Sequence, residues 1–256
     1  MEMLILSPDL MTAMDWNERT ELLIRRANVE RLQAAHVFVA GLGGVGAFAA
    51  EMLCRAGVGA MTIADADSVQ ASNRNRQLLA LASTEGKRKA LLMGERLLDI
   101  NPRLRLKVFD EFLRDERTDQ ILETPFDYVV DAIDTLSPKI FLIRQAVRKG
   151  WPLVSSMGAG GKLDPSRVMV ADFSATHHCN LARMLRKRLK RLGVAGGFKA
   201  VFSNELVQQD AFLAIQDEPN KKTTVGTISY MPAIFGCLCA SVVVRDLIGL
   251  EGLTRE

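Results

Sequence analysis

The sequence predicts an α/β protein: a doubly wound, mainly parallel sheet with helices on both faces and a C-terminal extension. Three observations carry that prediction. Apolar runs of strand length recur through the first 165 residues, the segments between them carry apolar residues at helical spacing, and a glycine-rich turn joins the first strand to the first of those helices.

The strand candidates are "AHVFVAG" (35–41), "AMTIAD" (60–65), "RLKVFD" (105–110), "DYVVDAID" (127–134) and "PLVSSMG" (152–158). Helices are expected over 46–57, 87–100 and 138–150, with Pro102 and Gly150 where helices should stop. The segment before residue 34 reads as helical. Beyond about residue 165 the alternation changes. "RVMVADF" (167–173) reads as a strand that extends the sheet, and "LARMLRKRLKRLG" (181–193) as a basic helix. "KAVFSNE" (199–205), a polar loop (216–227) and a last helix at roughly 231–248 follow.

Composition bounds the class. The chain has 256 residues, 48% hydrophobic and 25% charged, with a net charge of +3. That is enough chain for one sizeable core, and the mild positive charge permits an anionic partner without requiring one. Cys54, Cys179, Cys237 and Cys239 form no C-x-x-C pair, so no structural zinc is expected. Nor do they form a disulfide framework, and a reducing, cytoplasmic setting is expected. The apolar stretch Tyr230 to Val244 falls short of the ~20 residues that span a bilayer. It reads as a buried core helix, with no membrane insertion.

"GLGGVG" (41–46) lies directly between a strand and a helix. Gly41 suits the tight turn, Gly43 lets backbone N–H groups approach a phosphate, Gly44 continues the loop, and Gly46 lets the helix pack on the strand. The helix N-terminus adds unpaired donors and a positive dipole end. Asp65 ends the second strand, 19 residues after Gly46, where a carboxylate accepts from ribose hydroxyls. These features fit a Rossmann-like nucleotide site. An NAD-binding protein satisfies them too, but a dinucleotide carries only two phosphates. The segment "DADSVQASNRNRQ" (65–77) adds Asn73, Arg74, Asn75 and Arg76, which suggests more anionic charge, such as a triphosphate. Arg74 alone reads as a solvated surface residue.

"GLGGVG", "DADSV", "SNRNRQ", a lysine ahead of a helix and "VVDAIDT" together resemble the ThiF/MoeB superfamily of ubiquitin-activating-type adenylating enzymes, from about Arg19 to Asp246. The resemblance implies ATP as the nucleotide, and transfer of AMP to a carboxylate with release of pyrophosphate. It makes Asp65 the ribose ligand and Asp67 the start of the loop leading to the cluster. Asn73, Arg76 and Gln77 match the element that contacts the triphosphate. Lys89 matches the lysine at the phosphates, with Lys87 as its rival. Asp134 matches the aspartate that organises Mg²⁺; a helix N-cap is the competing reading. Asp131 could equally be a structural polar group. Arg19 resembles an arginine delivered by the partner subunit of a homodimer. Carboxylates are poor electrophiles, and the negative charge built up during activation is what Lys, Arg and Mg²⁺ offset.

"SSMGAGGKLDPSRVMVADFSATHHCNLARMLRKRLKRLGV" (155–194), "VFSNE" and "GTISYMPAIFG" resemble one subgroup, the tRNA threonylcarbamoyladenosine dehydratases. That implies activation of the threonylcarbamoyl carboxylate on adenosine 37 of a tRNA and its cyclisation. Sulfur-relay partners are sometimes linked to this subgroup. Activation of a ubiquitin-like sulfur carrier is the alternative. One domain over 1–256 is expected: a helical segment (1–34), a nucleotide-binding core (35–165) and a part for substrate and dimer contacts (166–256). Arg183, Arg186, Lys187, Arg188, Lys190 and Arg191 place six cations in nine residues, which suits an RNA backbone. Leu181, Met184, Leu185, Leu189 and Leu192 would form the buried stripe of that helix. Cys179 with His177 and His178 beside it could suggest a relay thiol, but the cyclisation needs none. Cys237 and Cys239 read as small core hydrophobes.

Overall fold

The computed structural model describes residues 16–113, 115–207, 211–214 and 223–250. Seven strands form one sheet in the order β3-β2-β1-β4-β5-β7-β6. They are β1 (His36–Ala40), β2 (Ala60–Ala64), β3 (Arg105–Phe109), β4 (Tyr128–Asp131), β5 (Leu153–Ser156), β6 (Val168–Asp172) and β7 (Lys199–Ser203). All neighbours are parallel except β6, which closes the edge antiparallel to β7. A short antiparallel pair, β8 (Phe212–Ala214) and β9 (Thr223–Val225), lies outside the sheet. β9 falls in the segment expected to be a polar loop; residues 216–222 of that loop are outside the described residues.

Alternation along β1 explains why both faces are covered. Val37 and Val39 point into one apolar cluster with Leu53, Met93 and Phe235, while Phe38 and Ala40 point into another with Leu122, Leu142 and Leu185. The first cluster lies under α3 (Gly46–Ala56), α4 (Lys89–Ile100) and α8 (Tyr230–Leu247). The second lies under α5 (Asp115–Ile121), α6 (Leu136–Arg148) and α7 (Asn180–Lys190).

The differences from the sequence reading have local causes. The N-terminal segment is two helices, α1 (Glu18–Ile24) and α2 (Arg26–Ala34), broken at Arg25, whose φ of 71° is left-handed. α5 was not expected because its sequence, "DERTDQI", is almost wholly polar. β4 stops at Asp131, so residues 132–134 form a loop rather than strand. On α7, Ala182, Leu185 and Leu189 are buried, but Met184 and, past the helix end, Leu192 are each 43% exposed and leave the stripe. α8 is long and apolar enough to cross a membrane, yet it packs on α3 and the sheet through Met231, Phe235, Cys239 and Val243. Cys237 is exposed on its outer face, which corrects its expected place in the core.

Candidate nucleotide site and adjoining cleft

The chain leaves β1 toward β2 and β3 on one side, and β4 and β5 lie on the other. The C-terminal ends of β1 and β4 therefore flank a topological switch point, where α/β sheets bind ligands. The glycine loop sits there. Gly41 has φ +86°, and a side chain on it would meet the Ala132 carbonyl oxygen at 2.8 Å, so only glycine lets the loops after β1 and β4 touch. Gly43 faces open space; the nearest atom to a side chain there is Gln77 Nε2, at 3.8 Å. Gly44 packs between Pro232 of α8 and the Arg76 carbonyl oxygen, which brings the 70–77 segment against the loop. Gly46 packs closely against Gly41.

Asp65 holds this mouth together. Its Oδ2 accepts from the Leu42 N–H at 2.6 Å, and its Oδ1 from the Asp67 N–H at 2.7 Å. Each oxygen keeps a lone pair for a further donor. Burial raises the carboxyl above the ordinary aspartate value, against the nearby Lys89 charge and the two N–H donors. The sign follows directly. With its folded value raised, Asp65 protonates on acidification before an exposed aspartate does. The buried carboxylate costs stability at neutral pH, and that cost fades as the group protonates. On acidification ATP affinity is therefore expected to fall before exposed carboxylates protonate, while the fold persists, and Asp65→Asn should bind weakly with a flat profile. Calorimetric titration against pH checks this; an affinity loss that tracks ordinary carboxylates contradicts it.

The cluster after β2 is built on a short 3-10 turn. The Gln70 N–H donates to Asn73 Oδ1 at 3.2 Å, and Asn73 is buried. Arg76 Nη1 donates to the Ser72 carbonyl and to Asn75 Oδ1, both at 3.0 Å. Gln77 Oε1 is buried with no hydrogen-bond partner among the described residues, an orphan beside the open face of Gly43 that a ligand donor would satisfy. Arg74 is exposed, as expected. Lys89 opens α4 and is 4% exposed; its Nζ contacts Asp67 Oδ2 at 2.9 Å and faces Asp65. Lys87 is exposed.

Asp134 is exposed in the loop beside Gly41, and Thr135, not Asp134, occupies the N-cap position of α6. That loop is held from beneath by a cluster the sequence reading did not assemble. Lys139 and Asp131 are both fully buried and paired at 2.7 Å. Lys139 Nζ also donates to the carbonyls of Ile133 (3.0 Å) and Ser156 (2.9 Å), and the Ser155 hydroxyl donates to Asp131 at 2.6 Å. Asp131 thus takes the structural role. Lys139 shares a face with buried Leu142, Ile143 and Ala146, so a lysine on an apolar stripe was the available signal.

Arg19 is not brought to this site within one chain. Asn17, two residues before it, lies 3.6 Å from a side chain built at Gly57, just past the far end of α3. The 11 residues of α3 put ~16 Å between that end and the glycine loop at ~1.5 Å per residue. α1 buries none of its residues, and Leu22 and Leu23 are 77% and 84% exposed.

A cleft of about 300 Å³ adjoins the N-terminal end of α7, lined by His178, Cys179, Asn180, Arg183, Arg186, Leu206 and Val207. Arg186 is partly committed there, since its Nη1 donates to the Thr176 carbonyl at 2.7 Å and to the Thr176 hydroxyl. Lys187, Arg188, Lys190 and Arg191 are exposed further along the helix. Among the described residues no group of three or more His, Cys, Asp or Glu could hold a metal, and all four cysteines are free.

A doubly wound sheet with a glycine loop, an aspartate closing the second strand and a cation–amide cluster at its switch point has the architecture of a nucleotide-binding α/β protein. The ThiF family model matches residues 18–255. A tRNA threonylcarbamoyladenosine dehydratase of Bacillus subtilis (strain 168) is 38% identical over 237 residues, 90% of this chain and 93% of that one. Its counterpart in Escherichia coli (strain K12) is 36% identical, over 91% and 94% of the two chains. The crystal structure of E. coli TcdA in complex with ATP matches with a TM-score of 0.83 at 34% identity, covering 95% of this chain and 100% of that one. A sulfur carrier protein adenylyltransferase of Thermus thermophilus is 38% identical over only 49% of this chain and 46% of that one. The chain belongs to the ThiF family, as its motifs led one to expect.

Proposed function

We propose that this chain is an ATP-dependent tRNA threonylcarbamoyladenosine dehydratase. The observation that carries this reading is a single mouth in which Gln77 lies beside the open face of Gly43, Asp65 binds the Leu42 N–H of the same loop and Lys89 faces Asp65, in a chain alike along nearly its whole length to dehydratases of that name. Likeness to the sulfur-carrier enzyme spans about half the chain, which favours it less.

The chemistry runs in two steps. A carboxylate oxygen of the threonylcarbamoyl group attacks the α-phosphorus of ATP. The bond to the β-phosphate bridge breaks, and pyrophosphate leaves. In the resulting acyl adenylate, the carbamoyl part of the same side chain attacks the carbonyl carbon and loses a proton. The carboxylate oxygen departs in AMP, so the nucleoside loses one water overall. The nucleophile is already tethered, so the protein needs only to position and neutralise. The loop N–H groups and the N-terminus of α3 face the phosphates, while Asp65 holds the ribose. Arg76, Asn73 and Lys89 meet the charge that accumulates as pyrophosphate departs. A Mg²⁺ ion carried by the phosphates needs only one or two protein carboxylates, and Asp134 beside the loop suits that habit.

The active form in this reading is a homodimer in which Arg19 acts across the interface. Its support is the exposed Leu22–Leu23 surface and the position of α1 at the far end of α3. Leu22→Lys with Leu23→Lys is expected to give a monomer by light scattering and to lose adenylation; an unchanged dimer contradicts this. The activity itself is tested by incubating the protein with threonylcarbamoyl-bearing tRNA and ATP and weighing the released nucleosides. A nucleoside lighter by one water is expected only when protein and ATP are both present.

A further inference from the structure

The cleft at the start of α7 has no part in binding ATP as described above. Its lining sets two aliphatic residues, Leu206 and Val207, beside His178, Asn180 and Arg183. Its volume of about 300 Å³ sits at the lower end of small-ligand sites, ~300–1,000 Å³. Resting on the dehydratase reading, we propose that this cleft receives the threonylcarbamoyladenosine itself, with Arg183 on its flanking phosphate and Asn180 and His178 on the base and side chain.

Three connections place the cleft in reach of the α-phosphate. Gly158 follows β5, and a side chain built on it would lie 3.9 Å from Cys179 Sγ, so the cleft opens on the same rim of the sheet as the glycine loop. β5 neighbours β4, which neighbours β1, two steps of ~4.8 Å each. The same rim is tied together through Thr227: its carbonyl accepts from Asn75 Nδ2 at 2.9 Å, and its Oγ1 lies 3.1 Å from a side chain built at Gly160. One strap thus touches the phosphate cluster at one end and the loop behind the cleft at the other.

The electrostatics suit an RNA nucleotide. Lys162 is 2% exposed, its Nζ donates to the Glu205 carbonyl, and among the described residues no carboxylate pairs with it. It lies beside Cys179 of the cleft wall, and burial lowers its pKa against the nearby Glu205 carboxylate. His178 lines the cleft beside Asn180 with φ 51°, and its ring packs edge-on against His177. Extruded RNA bases are commonly held this way, by ring faces, amides and guanidiniums. The basic helix then divides in two. Arg183 holds the phosphate beside the target nucleotide, while Arg188 and Lys190, ~8–10 Å further along the axis, meet phosphates of the surrounding stem.

The test uses the full chain and two RNA hairpins, one bearing threonylcarbamoyladenosine and one plain adenosine. Asn180→Ala removes a polar contact, and Leu206→Trp fills the cleft from a side chain that is 68% exposed, so the fold is kept. Both variants are expected to lose the wild-type preference for the modified hairpin by roughly tenfold or more, with thermal stabilisation by ATP unchanged. Arg188→Ala should weaken both hairpins alike and keep the preference. If wild type makes no cyclic nucleoside, the dehydratase reading falls. If it does, and both cleft variants keep the full preference, the cleft assignment alone falls.

Discussion

Arg76→Ala is expected to lower the rate of adenylate formation by roughly a hundred- to a thousandfold, the usual cost of removing one preorganised group from developing charge. This guanidinium donates to the Ser72 carbonyl and to Asn75 Oδ1, both exposed acceptors at 3.0 Å. Those bonds hold Arg76 in place without neutralising it, since neither partner carries charge. The full positive charge is therefore kept for phosphate oxygens. Stability should scarcely move, because the two bonds are local and solvated. Single-turnover kinetics with modified tRNA measure the effect. Arg74→Ala, a neighbour of the same charge with its side chain in solvent, serves as the control and should stay near wild type. Equal losses in the two variants would show that general charge, not this geometry, drives the step.

Lys139→Met is expected to be the most damaging single change to the fold. It leaves Asp131, fully buried, without its counter-ion at 2.7 Å. Breaking a buried pair from one side costs ~3–5 kcal/mol, on the order of 10 °C in Tm for a chain of this size. Adding Asp131→Leu should recover much of that loss, because a buried pair replaced whole by apolar groups costs little. The activity should not recover with it. Lys139 also holds the Ile133 carbonyl, the anchor of the loop that carries Asp134 past Gly41. The stable double variant should therefore bind ATP and turn over slowly. Scanning calorimetry and kinetics on the two variants separate these claims. A Tm within 2 or 3 °C (about 1 kcal/mol) of wild type for Lys139→Met contradicts the first.

The legible parts of the site are those whose residues are neighbours in the chain. The glycine loop, Asp65 and the Asn73–Gln77 element each lie within one turn or one strand end, so their spacing records their geometry. The same holds for the strands, whose apolar runs are fixed by burial on both faces. What spacing does not record is contact between distant segments. Asp131, Lys139 and Ser155 meet only because β4, α6 and β5 pack together. The cleft joins α7 to residues 206 and 207 for the same reason. Propensity also misled. Nothing in Arg25 announces a left-handed residue between two helices, and a polar segment such as "DERTDQI" carries no apolar stripe to mark α5. Met184 and Leu192 matched the stripe of α7 by spacing, yet the sheet offers them no facing surface.

The central claim is that the groups around Gly43 exist to make an acyl adenylate on RNA. Exchange of labelled pyrophosphate into ATP measures that step alone, before any cyclisation. Label should enter ATP when threonylcarbamoyl-bearing tRNA is supplied, and should stay out with unmodified tRNA or with Arg76→Ala. Failure of wild-type protein to exchange label with the modified tRNA present would contradict the account.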